Sequence, residues 1–144
     1  MTASTNKPPI WFWIASIIAL IWNAMGIYQY LQQAYNTESF RALYTPEQLV
    51  LADSSPAWAK AAFAIAVFGS VLACILLLLR KKLAKTVFLV ALIAIVVQMT
   101  HGLLIAKSYE VSSTLQTSMA IVVPIVGLLL YMFAKRSVEK GWIN

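Results

Sequence analysis

Asn23, Tyr30, Gln98 and His101 are polar residues set within largely apolar stretches of this chain. An amide, a phenol or an imidazole placed in hydrocarbon must find a hydrogen-bonding partner, either on another helix or on a ligand. The spacing puts these groups on two helix faces. Ala19, Asn23, Gly26, Tyr30 and Gln33 recur at intervals of four and three, and so do Ala91, Ala94, Gln98, His101 and Ile105. Measured from the start of each stretch, Asn23 and Gln98 both lie about 20 Å in, and Gly26 and His101 about 24 Å. The two faces are therefore expected to meet, with Asn23 bonded to Gln98 and Gly26 leaving room for the imidazole. One use of such a cluster is helix–helix attachment, each bond contributing about 0.6 to 2 kcal/mol. The other is a small polar cavity, open to the outer face, that takes a neutral solute or a quinone-like headgroup. Attachment is the ordinary role of uncharged polar residues in spans.

Other chemistry is tested by count and depth. One histidine and one cysteine, Cys74, cannot build a zinc or iron–sulfur site in one chain. A two-histidine haem would need a second chain, so no cofactor or metal is expected. Gly69-Ser70 suggests a serine nucleophile with His101 as base, but Ser70 lies about 20 Å below the outer membrane edge and His101 about 8 Å. That gap excludes the hydrogen bond such a pair needs. No catalytic residue is expected, and the chain reads as non-enzymatic. The apolar stretches also hold no Asp or Glu, and Lys85 stands only at an entrance. Pumps and proton relays generally need charge inside the membrane.

The elements that must position these residues follow from composition. The chain has 144 residues, 61% hydrophobic and 11% charged, with a mean hydropathy of +0.79. Soluble domains carry about 25% charged residues, so lipid must be the main solvent. A span needs roughly 20 apolar residues, and four stretches qualify: about 10–31, 57–79, 85–106 and 117–134. Runs such as Val87 to Val97 are apolar on every face, unlike the alternating strands of a membrane barrel. The expected fold is all-α, a single transmembrane domain of four helices over 1–144. Pro8 and Pro9 open the first span. Ser55 is expected to cap the second with Pro56 at its first position, and Pro124 should kink the fourth unless a neighbour satisfies the freed carbonyl. Lys7, Arg80, Lys81, Lys82, Lys85, Lys135, Arg136 and Lys140 fall at one membrane face, against Arg41, Lys60 and Lys107 at the other, eight to three. That bias places both termini in the cytoplasm. Because the cations sit at span ends, they read as topology signals and not as a nucleic-acid surface. The cluster from Arg80 to Lys85 is also suited to anionic lipid or to a partner.

Thr45-Pro46-Glu47-Gln48 has the form of a capping box, which predicts a short amphipathic helix over about 46–52 in the first outer loop. Ala62, Ala66, Gly69 and Ala73 form a small-residue stripe on the second span, suited to close backbone approach within the chain or against another copy.

The pattern Trp22-Asn23-x-x-Gly26-x-x-x-Tyr30, then Pro56-x-Trp58, then Val67-Phe68-Gly69 leading into Leu76-Leu77-Leu78-Leu79-Arg80-Lys81, resembles an uncharacterised family of small bacterial four-transmembrane-helix proteins, sometimes labelled sugar transporter. The resemblance covers roughly the first hundred residues. It implies a bacterial inner membrane and a non-enzymatic role, and brings no functional residues with it. Two functions are therefore expected. The first is an accessory subunit or scaffold packed in the bilayer against another membrane protein or in a homo-oligomer. The second is an oligomeric transporter or binder of a small neutral, sugar-like solute.

Overall fold

The computed structural model describes residues 7–105 and 114–143, with backbone only at 105 and 114–116. Lys107, which entered the charge count, lies outside the described residues. All the regular structure described is helical. The helices are α1 (Ile10–Tyr35), α2 (Glu38–Leu43), α3 (Pro46–Asp53), α4 (Ala57–Leu78), α5 (Leu83–Thr100) and α6 (Thr114–Glu139), with a π-helical turn, His101–Ile105, continuing α5. Four segments are long and apolar enough to cross a membrane: Ile10–Tyr35, Ala57–Leu78, Leu83–Leu104 and Thr117–Glu139. The first and last run further than apolarity alone predicts. Glutamines, Lys135 and Arg136 are good helix formers, so each helix continues until a backbone stop rather than until the apolar residues end.

Those stops share one geometry. After α1, α4 and α6 the chain enters the left-handed region at Asn36 (φ 53°), Arg80 (φ 59°) and Gly141 (φ 75°). At each, the N–H of the left-handed residue reaches back three carbonyls and the next N–H reaches back five. Around Arg80 these bonds are Arg80 to Leu77 at 3.0 Å and Lys81 to Leu76 at 2.9 Å. This paired closure satisfies carbonyls that a helix end otherwise leaves bare. Helix starts are more varied. Thr37 caps α2 through its hydroxyl, which accepts from the Phe40 N–H, and Thr45 and Gln48 form a reciprocal capping box on α3. At α4 the expected assignment shifts by one residue. Pro56 itself is the cap, its carbonyl accepting from the N–H groups of Ala59 and Lys60. The Ser55 hydroxyl instead donates to the Leu51 carbonyl at the end of α3.

The bundle is held in the order α1–α4–α5–α6, each packed mainly on the next. On α4 the buried stripe is Ala62, Ala66, Ser70, Ala73 and Leu77. Facing it, α5 buries Ala84, Phe88, Ala91 and Ala94. Gly69 opens onto Ala91, whose Cβ would lie 3.5 Å from a methyl placed at Gly69. Ala62, Ala66 and Ala73 of the stripe are buried in the chain.

The main core lies in the half of the bundle carrying the basic residues. There Phe12, Leu77 and Ile143 are buried, with Phe12 edge-on to Trp13, Phe133 and Trp142. Towards the α2–α3 end, among the described residues, Ala66, Ala94 and Ile95 form a second, smaller cluster. Helix α6 is continuous through Pro124, which has no N–H to offer the Ala120 carbonyl.

Because Ala73 is fully buried where α4 meets α5, Ala73→Leu should destabilise the fold by about 1–3 kcal/mol through overpacking. The exposed Ile65→Leu should leave stability unchanged. Loss of helical circular dichroism in a denaturing-detergent titration checks both.

Candidate functional site

The polar residues singled out by spacing go to different neighbours. Asn23 on α1 donates through its side-chain nitrogen to the Ala19 carbonyl at 2.8 Å and to the Cys74 sulfur on α4 at 3.5 Å. The expected bond to Gln98 is not formed, because α4 and not α5 is the main neighbour of α1. Gly26 makes room for α4 as well: a methyl there would sit 3.2 Å from Val67 Cγ1. Tyr30 packs edge-on against Phe63 and Phe68 of α4, with ring centres 5.3 and 5.6 Å apart. His101 is buried, 7% exposed, with the Trp58 ring edge-on at 5.2 Å. Gln98 is half-buried on α5. Among the described residues no hydrogen bond or ring contact joins any two of these four.

What the fold does bring together is a small, partly open void lined by residues from all four long helices. Trp22 and Asn23 reach it from α1, Ser70 from α4, Phe88 and Ala91 from α5, and Gly127 from α6. Its volume is about 20 Å³, room for about one water molecule. Gly127 holds it open, since a methyl there would meet Ile95 Cδ1 at 3.1 Å and Leu92 Cδ1 at 3.3 Å.

Ser70 is 5% exposed, and its hydroxyl makes no hydrogen bond to a described residue. It differs in this from Ser16, Thr100 and Ser137, whose hydroxyls each bond the carbonyl one turn back. A hydroxyl and an amide beside a water-sized void are suited to holding a solvent molecule or the hydroxyl of a solute. Ser70 and Cys74 were legible only indirectly. They lie one turn apart on the small-residue face, and the stripe marked that face as buried without showing that Asn23 would bond across it.

Ser70 and His101 also stand apart in height. The imidazole touches Trp58, which lies twelve residues, about 18 Å, from Ser70 along α4. Among the described residues no three His, Cys, Asp or Glu side chains are grouped to hold a metal. No family model, curated protein or solved structure matches the chain.

The bond from Asn23 to Cys74 predicts a small coupling. In a double-mutant cycle of Asn23→Ala and Cys74→Ala, the interaction energy should be about 0.6 kcal/mol and below about 2. Cys74 is fully buried, so maleimide should label it only after denaturation.

Proposed function

We propose that this chain is a non-catalytic, multi-pass membrane subunit whose half-open bundle is completed by another membrane protein or by a second copy of itself. The observation that carries this reading is the state of α6. Of its membrane-spanning stretch 11% is buried, against 33% for α4. Residues 118–123 are exposed without interruption, which takes in every face of the helix over more than one turn. Apolar side chains there can rest on lipid. The Ala120 carbonyl, to which Pro124 offers no N–H, gains from a neighbour that donates to it, because a backbone group left unsatisfied in hydrocarbon costs several kcal/mol. Prolines in spans are tolerated where a neighbouring helix supplies the missing partner.

The eight-to-three distribution of cations supports a topology with both termini in the cytoplasm. The resemblance to small bacterial four-span proteins supports a bacterial inner membrane as its place. In that orientation the well-packed half faces the cytoplasm, α2 and α3 lie on the outer surface, and the interface for a partner is in the outer leaflet.

A second reading, a binder or transporter of a small neutral solute, is favoured by the void at Asn23 and Ser70. A water-sized void in one chain is too small for a sugar, so this reading also needs an oligomer.

Native mass spectrometry on protein extracted with its surrounding lipid should find a stoichiometric partner or a homo-oligomer. In a Cys74→Ser background, Val122→Cys should cross-link to that partner or to its own copy. A lone monomer with uncoupled Val122→Cys would overturn the proposal. Assembly retained while Asn23→Ala with Ser70→Ala abolishes solute uptake would give the second reading precedence.

A further inference from the structure

Among the described residues, the buried serines do not use their hydroxyls alike. Ser16 and Ser137 donate to the carbonyls of Phe12 and Phe133, one turn back, at 2.7 and 2.9 Å. A helical serine can reach that carbonyl by rotating its own side chain. Ser70 forgoes it: the Ala66 carbonyl is left to the helix, and the buried hydroxyl bonds no described residue.

Asn23 is used at one end only. Its Nδ2 donates both to the Ala19 carbonyl and to Cys74 Sγ. A carbonyl can only accept, so the first of these contacts fixes which end of the amide carries the hydrogens. Oδ1 is then the other end, and it accepts from no described residue.

Both residues line the same void of about 20 Å³, a volume that takes about one water molecule. Groups around so small a space are within reach of a single occupant. Cavities that stay dry are walled by apolar groups. Here a hydroxyl and an amide oxygen, on different helices, have bonding capacity that the protein leaves unused. Phe88, Leu92 and Ile95, elsewhere in the wall, bring no competing polar side chain.

We propose that this void is the site of one ordered water, which accepts from the Ser70 hydroxyl and donates to Asn23 Oδ1. The water joins α1 to α4 a second time, one turn from the direct bond between Asn23 and Cys74. Such a bridge is nearly as favourable in enthalpy as a direct hydrogen bond. It gives the Ser70 hydroxyl the partner that Ser16 and Ser137 find in their own helices. The site belongs to the single chain, so it stands whatever covers α6. A neutral solute entering there would have to displace the water and reproduce its bonds, or lose affinity.

Crystals of the full chain grown in a lipid mesophase, at a resolution that shows ordered waters, provide the test. The wild type should show one isolated density peak, about 2.5–3.0 Å from both Ser70 Oγ and Asn23 Oδ1. Under xenon pressure the void should take up no xenon, which enters dry apolar cavities. Ser70→Ala removes one of the two partners and should lose the peak. Ile65→Leu, an exposed position on the same helix, should keep it. A void without a peak that takes up xenon overturns the proposal, and so does density that runs on as an acyl chain or a bound solute. A peak that persists unchanged in Ser70→Ala overturns it as well. If that variant does not fold, the wild-type crystal decides alone, by the presence or absence of a peak bonded to both atoms.

Discussion

Close contact between α4 and α5 is the constraint from which the rest of this molecule follows. Lipid tails are as apolar as leucine, so membrane helices gain little from hiding apolar surface and associate through van der Waals contact at short range. Alanine, serine and glycine on α4 meet alanines on α5, and the short turn at residues 79–82 holds the two side by side. With α5 on one flank of α4, α1 takes another, and α6 is left to pack on α5. The void is where this arrangement fails to fill. The small residues that allow close approach, Ala91 and Gly127 among them, leave a water-sized gap lined by all four helices.

Much of this was legible in the residues. The apolar stretches located the four long helices, and Thr45 with Gln48 marked the start of α3. These signals are local: a run of side chains, or a hydroxyl and an amide three residues apart. The stripe on α4 showed which side of that helix would be covered. The identity of the covering helix was not legible. Depth matching paired Asn23 with Gln98 because both lie equally far along their helices, but equal depth does not make two helices neighbours. Once α4 stands beside α1, Asn23 bonds Cys74 and Gly26 accommodates Val67. Ser55 and Pro56 show the same limit at smaller scale. Both are competent near a helix start, and the preceding helix decided the matter by engaging the Ser55 hydroxyl at Leu51.

The two ends of the bundle are built by different means. At the basic end, aromatic rings from the first turn of α1 interlock with Phe133 and Trp142 near the close of α6, and Arg80 ties in the intervening turn. At the other end, contacts are sparser and more pairwise: Tyr30 against two phenylalanines, Gln29 with the Tyr44 hydroxyl, Trp58 against His101. His101 also opens a π-helical turn. Such a turn is wider than an α-turn and advances the helix face out of step with its earlier residues. The periodicity that places Ala91, Ala94 and Gln98 on one face therefore changes where His101 opens that turn.

The aromatic closure also imposes an order of assembly. Phe12 lies near the start of α1, and its ring partners lie beyond both α4 and α5, Phe133 near the end of α6 and Trp142 just past it. During synthesis from the N-terminus, α1 must rest in the bilayer without the neighbours that later bury its first turn, stable as a lone helix because its backbone is internally bonded. The α4–α5 hairpin, made of contacts near in sequence, can settle as soon as both helices are inserted. Ring closure waits for the end of α6. Until then the half-built bundle exposes Phe12, Ser16 and Leu77, and the interval between inserting α1 and inserting α6 is when a chaperone or a quality-control protease would recognise it.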